Sequence, residues 1–360
     1  VEKKKMEKQK SLKRIRHEID RIDLDILLRL RERMAWAVRS SRFKDTIEDP
    51  DREQRLLKQV EQYGLGLLDP HFARELFTLI IDASKREQAK PRALLAIQGE
   101  RGAYSEMAAL CHCPGALVVP CLDFDAVFDA VGRCEVDYGV VPVENSIGGA
   151  ISDVNRLLAE RDLVVVGEVL LPIHHCLLMK EGGDHRRLRQ VYSHPQALAQ
   201  CRLFLERHQL EGVPYYDTAG AARMLATSGG EHLGVIASEL CSHMYRLSVV
   251  MDGIADGEGN MTRFLVIARQ KGDEAGDKCS LIFTTRDRSG ALMNVLRCFA
   301  DARINLTRIE SMPLAGPEAR YRFFVDFHGS DEEASVAETF MKVQTLVDGF
   351  RLIGCYPRAR

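Results

Sequence analysis

No stretch of about 18 consecutive apolar residues occurs in the 360-residue sequence, which excludes a membrane-spanning helix. The lysine-rich start is not followed by the apolar core of a signal peptide, so a cytoplasmic location is expected. Charge of one sign is lacking as well. Fifty basic side chains against 52 acidic ones leave a formal net charge of -2, no global reason to bind nucleic acid or a membrane. The ten cysteines lack metal-site spacing: Cys111 and Cys113 flank His112, but no second ligand pair follows, so thiols in a reducing compartment are expected. The three-glycine dinucleotide fingerprint is missing too, which counts against a nicotinamide-dependent dehydrogenase.

The chain is long enough for two or three domains, each with its own core. Its charge is unevenly spread. Residues 1 to 90 carry 22 Lys and Arg against 17 Asp and Glu, a net of +5, leaving -7 for the other 270. From Ser11 to Phe43 there is no Gly or Pro, and Leu12, Ile15, Ile19, Ile22, Ile26, Leu30, Met34 and Ala37 recur at three- or four-residue steps. That periodicity predicts one amphipathic helix, roughly 50 Å long, which a ninety-residue domain cannot cover alone. A second copy of the chain is the natural cover. Two more helices are expected, from about Asp51 to Tyr63, ended by Gly64 and Gly66, and from Asp69-Pro70 to about Gln88. Helical spacing would put Arg33 and Lys44 on one face about 16 Å apart, flanking one small ligand, with Arg16 too distant to share it.

The polar positions Arg16, Asp23, Arg33, Lys44, Asp49, Arg52, Glu53, Ser84 and Gln88, in that order, resemble the all-helical chorismate mutase family over residues 8 to 90. The stretch from Lys44 to Asp49 is shorter than in the best-known members. The resemblance implies an intertwined dimer and a Claisen rearrangement of chorismate to prephenate. It also implies roles: Arg33, Arg52 and the partner's Arg16 clamp carboxylates, Lys44 and Gln88 meet the ether oxygen, and Glu53 holds the substrate hydroxyl. Asp49 and Ser84 complete the set. Such groups suit a reaction with two carboxylates and charge developing on an ether oxygen.

After Lys90-Pro91-Arg92 the pattern changes to short apolar strands alternating with helices. Three strands end in polar tips: Glu144-Asn145-Ser146, Ser193-His194-Pro195-Gln196 and Asp217-Thr218. An open α/β sheet places its site at such ends. Gly99 to Ser105 reads as a tight turn, with Ser105 able to cap the following helix. His194 reads as structural. Thr262 stands at a loop-to-strand junction before the run Leu265-Val266-Ile267-Ala268.

Gly-x-x-Gly-x-Tyr-Ser at 99 to 105, Val-Pro-Val-Glu-Asn-Ser at 141 to 146, Ser-His-Pro-Gln-Ala at 193 to 197 and Asn-x-Thr-Arg-Phe at 260 to 264 resemble prephenate dehydratase over about residues 94 to 270. That family implies two α/β lobes, similar to periplasmic binding proteins, with substrate between them. The implied reaction aromatises prephenate to phenylpyruvate with loss of CO2 and water. Hydroxide leaves poorly, so a donor must meet it. Thr262 takes that role, with a relay through Glu144, Ser146 or water left open. Arg263 would pair with a carboxylate, Asn145 and Gln196 would orient the substrate, and Phe264 would supply an apolar wall. Ser105 and Thr218 join the binding set.

A polar linker, Lys271 to Asp277, precedes a βαββαβ order expected to form a ferredoxin-like sandwich. Gly290-Ala291-Leu292 and Glu310-Ser311-x-Pro313 resemble the ACT domain of prephenate dehydratases, which implies L-phenylalanine binding at a dimer interface and feedback inhibition. Met312 stands where that motif usually has arginine, and it loses the charge and its donors.

The expected architecture is therefore multidomain: 1-90 helical, 91-271 two-lobed α/β and 278-360 α+β ferredoxin-like. It implies a bifunctional chorismate mutase and prephenate dehydratase, working on chorismate and prephenate as a homodimer or higher homo-oligomer. Neither reaction needs a metal or organic cofactor. Two alternatives stand beside it, arogenate dehydration in the middle region and a non-catalytic amino-acid sensor.

Overall fold

The computed structural model describes residues 2–63, 68–228, 230, 232–272, 275–314 and 320–359. One compact unit takes in the chain to Leu94 together with Ala226–Ser228, and a second takes in the rest from Leu95. No helix among the described residues is long and apolar enough to cross a membrane.

The first unit holds α1 (Glu2–Ser40), a 3-10 turn at Ser41–Phe43, α2 (Pro50–Tyr63) and α3 (Pro70–Gln88). Asp69 is the N-cap of α3 and Pro70 its first residue, as the sequence implies. Gly64 and Gly66 lie outside the described residues. At 39 residues α1 spans about 58 Å. Its apolar stripe is half uncovered: Ile15, Ile19, Ile22 and Ile26 are 50–54% exposed.

The second unit begins with one lobe: β1 (Leu94–Gln98), α4 (Tyr104–His112), β2 (Leu117–Cys121), α5 (Phe124–Gly132), β3 (Tyr138–Asn145), β4 (Gly149–Ala150), α6 (Ser152–Glu160) and β5 (Val164–Pro172). The chain then crosses into a second lobe: β6 (Cys176–Lys180), β7 (Gln190–Ser193), α7 (Pro195–Gln200), α8 (Arg202–Arg207), β8 (Glu211–Pro214), α9 (Thr218–Ser228), β9 (Leu233–Ala237), α10 (Glu239–Tyr245) and β10 (Leu247–Met251). It returns as β11 (Met261–Ala268), which enters the first sheet between β3 and β5, antiparallel to both. The sheet orders are β2-β1-β3-β11-β5, with β4 beside β3, and β10-β6-β9-β7-β8. Two crossings join the lobes, so β11 starts where the second crossing meets the end of β3.

The C-terminal part follows as β12 (Lys278–Arg286), α11 (Ala291–Asp301), β13 (Leu306–Leu314), β14 (Arg320–His328), α12 (Ala334–Leu346) and β15 (Gly349–Tyr356). Its antiparallel sheet runs β13-β14-β12-β15, the strand order of a ferredoxin-like sandwich, around Phe283, Phe299, Phe323 and Phe327. It packs on the first lobe. At Gly354 of β15 an added Cβ would stand 2.1 Å from the Val165 carbonyl oxygen of β5, and Arg351 Nη2 donates to the Arg161 and Leu163 carbonyls at 2.7 and 2.8 Å. Within the polar linker, residues 273 and 274 lie outside those described. The cysteine reading needs one correction: Cys279 and Cys355, facing each other on β12 and β15, are joined as a disulfide. The other eight cysteines are free thiols.

Candidate functional sites

In the helical unit Arg33 and Ser84 come together across α1 and α3. Arg33 Nη1 donates to Ser84 Oγ at 2.8 Å, and Ser84 Oγ donates to the Ile80 carbonyl at 2.7 Å. Burial pushes the Arg33 pKa down, yet a guanidinium keeps its charge at any ordinary pH. Gln88, one turn beyond Ser84, holds its Oε1 buried with no hydrogen-bond partner among the described residues. A buried polar atom left this way is costly unless a ligand completes it.

One expectation in this unit changes, and two of the assigned carboxylates have partners within the chain. Lys44 is not on α1, because the helix ends at Ser40 and Lys44 follows the 3-10 turn in extended backbone, so helical spacing from Arg33 does not apply. Asp49 opens α2, its Oδ1 accepting from the Arg52 amide at 3.0 Å, which is a cap. Glu53 pairs with Lys85 at 3.0 Å, a residue that the sequence pattern did not single out. That hydrogen bond raises the Lys85 pKa. Arg16, Lys44 and Arg52 are exposed.

The second site lies where β3 and β11 end side by side. Register pairs Thr262 with Asn145 on one flank and Leu171 on the other. Asn145 Nδ2 donates to Thr262 Oγ1 at 2.9 Å, to Asn260 Oδ1 at 2.8 Å and to the Met261 carbonyl at 3.1 Å. Asn145 Oδ1 accepts from the Ile147 and Gly148 amides at 3.1 and 2.7 Å. From the second lobe, α7 brings Gln196 against this turn: a Cβ on Gly148 would stand 2.2 Å from Gln196 Nε2 and 3.3 Å from Asn145 Oδ1.

The other polar tips also meet across the lobes. Gly99 has φ +98 and lies so near Asp217 that a Cβ would stand 2.5 Å from its Oδ2. Asp217 Oδ1 accepts from the Ala219 and Gly220 amides at the start of α9, and burial raises its pKa. Glu100 takes the Tyr216 hydroxyl at 3.0 Å and Arg223 Nη1 at 2.9 Å. Thr218 opens α9 beside these groups. His194 caps α7, accepting from the Gln196 amide at 3.2 Å, the structural role expected of it.

Four dehydratase assignments need correction. Ser105 does not cap α4; it sits inside the first turn, while Glu106 Oε2 accepts from the Gly102 amide at 2.6 Å. Ser146 clamps the crossing: its Oγ donates to the Gly259 carbonyl at 3.0 Å and accepts from the Met261 amide at 2.9 Å, so it is no relay to Thr262. Arg263, next in the strand, points to the opposite face from Thr262. It donates to Glu168 at 2.6 Å, Glu144 at 3.1 Å, Asp326 at 2.6 Å and the Tyr356 hydroxyl at 3.1 Å, and its side chain is 5% exposed. Burial alone would lower its pKa, but Asp326, Tyr356 and Glu168 raise it overall. A guanidinium so committed cannot clamp a substrate carboxylate. Glu144 is held by Arg263 and, at 3.5 Å, by Arg308, and so is not paired with Thr262. Phe264 is buried within the sheet, between Pro142 and Val169.

The sequence reading missed this ionic cluster, although Glu168 in the otherwise apolar run Val164–Pro172 was a usable signal for a buried, paired charge. Lys278 joins it, 2.8 Å from Glu168. In the C-terminal part, Gly290 is the left-handed N-cap of α11 at φ +79, followed by Ala291 and Leu292. Glu310 and Ser311 lie on β13, an edge strand, and Met312 pairs in register with Arg322. Among the described residues no cluster of His, Cys, Asp and Glu could hold a metal ion.

Comparison with known proteins follows the same division. Residues 15–89 match the family of type II chorismate mutases, and residues 95–272 match the prephenate dehydratase family. A bifunctional chorismate mutase/prephenate dehydratase of Pseudomonas aeruginosa is 34% identical, the match covering 98% of this chain and 100% of that one. An Arabidopsis thaliana chloroplastic protein named arogenate dehydratase/prephenate dehydratase 2 is 40% identical over 74% of this chain and 73% of its own length. A prephenate dehydratase from Arthrobacter aurescens, solved in complex with L-Phe, superposes with a TM-score of 0.68 and 28% identity, over 74% of this chain and 90% of that one.

Proposed function

The chain belongs to the bifunctional chorismate mutase/prephenate dehydratase family, and on that premise we propose how its parts divide the work. It rearranges chorismate to prephenate and converts prephenate to phenylpyruvate, two steps of phenylalanine biosynthesis.

For the rearrangement, Arg33 clamps one carboxylate, with Arg52 and the partner's Arg16 as further clamps and Lys44 and Gln88 at the ether oxygen. Support comes from Arg33, already oriented by Ser84, and from the incomplete hydrogen bonding of Gln88. An amide can turn to offer either end, so Gln88 can present its N–H to an oxygen bearing developing charge. The half-exposed stripe on α1 supports a homodimer or higher homo-oligomer, in which each of those isoleucines would gain about 1 kcal/mol on being covered.

For the dehydration, the observation that carries the reading is Thr262 at the strand ends, its oxygen accepting from Asn145. The C1–carboxylate bond breaks and CO2 departs. Its electron pair moves into the ring, the C4–oxygen bond breaks, and the departing hydroxide takes up a proton that comes ultimately from solvent, leaving as water. Thr262 hydrogen-bonds that oxygen in the transition state. With Arg263 engaged elsewhere, Ser105, Gln196 and Thr218 are the donors we assign to the substrate's polar groups. Prephenate is the substrate we assign before arogenate, because the relatives matched over nearly the whole chain are bifunctional chorismate mutase/prephenate dehydratases.

The C-terminal sandwich is an ACT-like regulatory domain for L-phenylalanine, with Gly290, Ala291, Leu292, Glu310 and Ser311 near the ligand. The L-Phe complex of the Arthrobacter aurescens dehydratase supports this. A cytoplasmic setting belongs to the same reading: eight free thiols suit a reducing compartment, and the Cys279–Cys355 disulfide counts against it. The test offers the purified chain prephenate and arogenate separately and titrates phenylalanine by calorimetry. Faster turnover of prephenate and saturable phenylalanine binding are expected. Preference for arogenate overturns the substrate, and absence of both binding and any effect on rate overturns the regulatory role.

A further inference from the structure

The Thr262 hydroxyl sits at one end of a chain of side-chain hydrogen bonds that reaches into the second lobe. Asn145 Nδ2 bonds Thr262 Oγ1 and Asn260 Oδ1. Asn260 Nδ2 donates to Gln200 Oε1 at 3.1 Å, and His175 Nε2 lies 2.8 Å from the same oxygen. On its other side His175 Nδ1 lies 3.0 Å from the Tyr104 hydroxyl. His175 is 2% exposed, and burial pushes its pKa down, so it is neutral at pH 7. Gln200 ends α7 of the second lobe, and His175 and Asn260 lie on the two crossings between lobes.

The direction of each bond follows from one anchor. Asn145 Oδ1 accepts from two backbone N–H groups, which fixes which end of that amide is which. Its Nδ2 therefore faces Thr262 and Asn260, and Nδ2 can only donate. Asn260 must then present Oδ1 to Asn145 and Nδ2 to Gln200, and Gln200 Oε1, as an acceptor, selects the Nε2–H form of His175. Thr262 Oγ1 accepts from Asn145 through one of its two lone pairs. Its own hydrogen has no acceptor among the described residues, and Asn145 cannot be one.

We propose that Asn145 is a positioning residue that leaves the Thr262 hydrogen free to be donated to the leaving oxygen, with Asn260 and Gln200 bracing it from the hinge and the second lobe. This rests on the reading of Thr262 as the leaving-group contact. Donation from Asn145 also polarises the Thr262 O–H bond and strengthens it as a donor. Because Gln200 belongs to one lobe and Thr262 to the other, the brace is complete only when the lobes stand as they do here.

Asn145→Asp isolates the claim, because the anchored Oδ1 remains while the donor becomes an acceptor. The ionised aspartate takes the Thr262 hydrogen for itself. Below its own pKa the acid regains a donor O–H. Glu144 and Arg263, the adjacent charged groups, face the other side of the sheet, and His175 and Tyr104 are the titratable members of this chain of bonds. The expected result at neutral pH is a loss of about 100-fold in dehydratase kcat, the scale for losing one transition-state donor, with KM changed little. Activity returns as pH falls through the aspartate pKa, against a wild-type profile measured in parallel. Wild-type kcat at neutral pH, or a folded variant whose loss does not recover in acid, overturns the proposal. Should Asn145→Asp not fold, Gln200→Leu decides. It removes the acceptor that Asn260 and His175 share, and a lower dehydratase kcat with KM changed little is expected; wild-type kcat in the folded variant overturns the proposal. Thr262→Ala is run beside them: if it stays active, the reading of Thr262 itself is wrong, a failure distinct from that of Asn145.

Discussion

Thr262 and Arg263 are neighbours on one strand, yet they belong to different structures. Strand alternation sends Thr262 into the cleft, where Asn145 meets it, and Arg263 to the rear, where Glu144, Glu168, Asp326 and Tyr356 surround it. The rear cluster ties β11 to β12, β14 and β15 through Lys278, Asp326 and Tyr356, so the C-terminal sheet is bonded to the strand that presents Thr262. Removing Arg263 would leave buried carboxylates without their partner, a defect that costs about 3–5 kcal/mol. Arg263→Gln is therefore expected to lower the unfolding temperature of the second unit and dehydratase kcat together. Had Arg263 clamped substrate, the variant would raise KM and leave unfolding unchanged, and calorimetry beside steady-state kinetics separates the two. The site at this scale was only half legible. Asn145, Gln196 and Thr262 could be named because motif spacing marks them. What Arg263 and Ser146 touch could not, because a partner 63 residues away is set by tertiary packing and not by local pattern.

Among elements, α1 and the β15–β5 seam make the sharpest claims. The period of α1 was plain in the sequence, and so was its need for cover, since no local segment could bury a stripe that long. Its end was less legible: nothing in Ser40 to Lys44 announces the 3-10 turn that takes Lys44 out of helical register. Ile19→Asp, on the half-exposed stripe, is expected to shift the protein toward monomer in light scattering and to lower mutase activity with it. At the seam, Gly354 permits a backbone approach that no side chain could share. Gly354→Ala would push β15 from β5 and destabilise the second unit by ~1–3 kcal/mol, the usual cost of overpacking, measurable by thermal unfolding. All six C-terminal elements were read correctly because alternation and amphipathicity are strong there. The docking of their sheet on the first lobe was not, since Gly354 and Arg351 look like ordinary strand residues in sequence.

At the scale of the molecule, the second unit carries a buried histidine whose pH linkage has a definite sign. The His175 pKa is lowered by burial from an ordinary value of 6.5. Well above about pH 6.5 neither native nor unfolded chain holds the proton. As pH falls below that value the unfolded chain takes it up first, so stability is lost until the native pKa is passed. The unfolding temperature of the second unit is expected to drop more between pH 7.5 and 5.5 for the wild type than for His175→Gln, which cannot titrate. Equal drops would mean that other groups carry the acid sensitivity.

The central claim is that one chain performs two consecutive reactions, the second of them at Thr262. Purified wild-type and Thr262→Ala proteins are each given chorismate at neutral pH, and prephenate and phenylpyruvate are followed together. The wild type is expected to form phenylpyruvate, while the variant consumes chorismate at an undiminished rate and accumulates prephenate. Phenylpyruvate formed by the variant at the wild-type rate, or prephenate left unconverted by the wild type, would contradict the account.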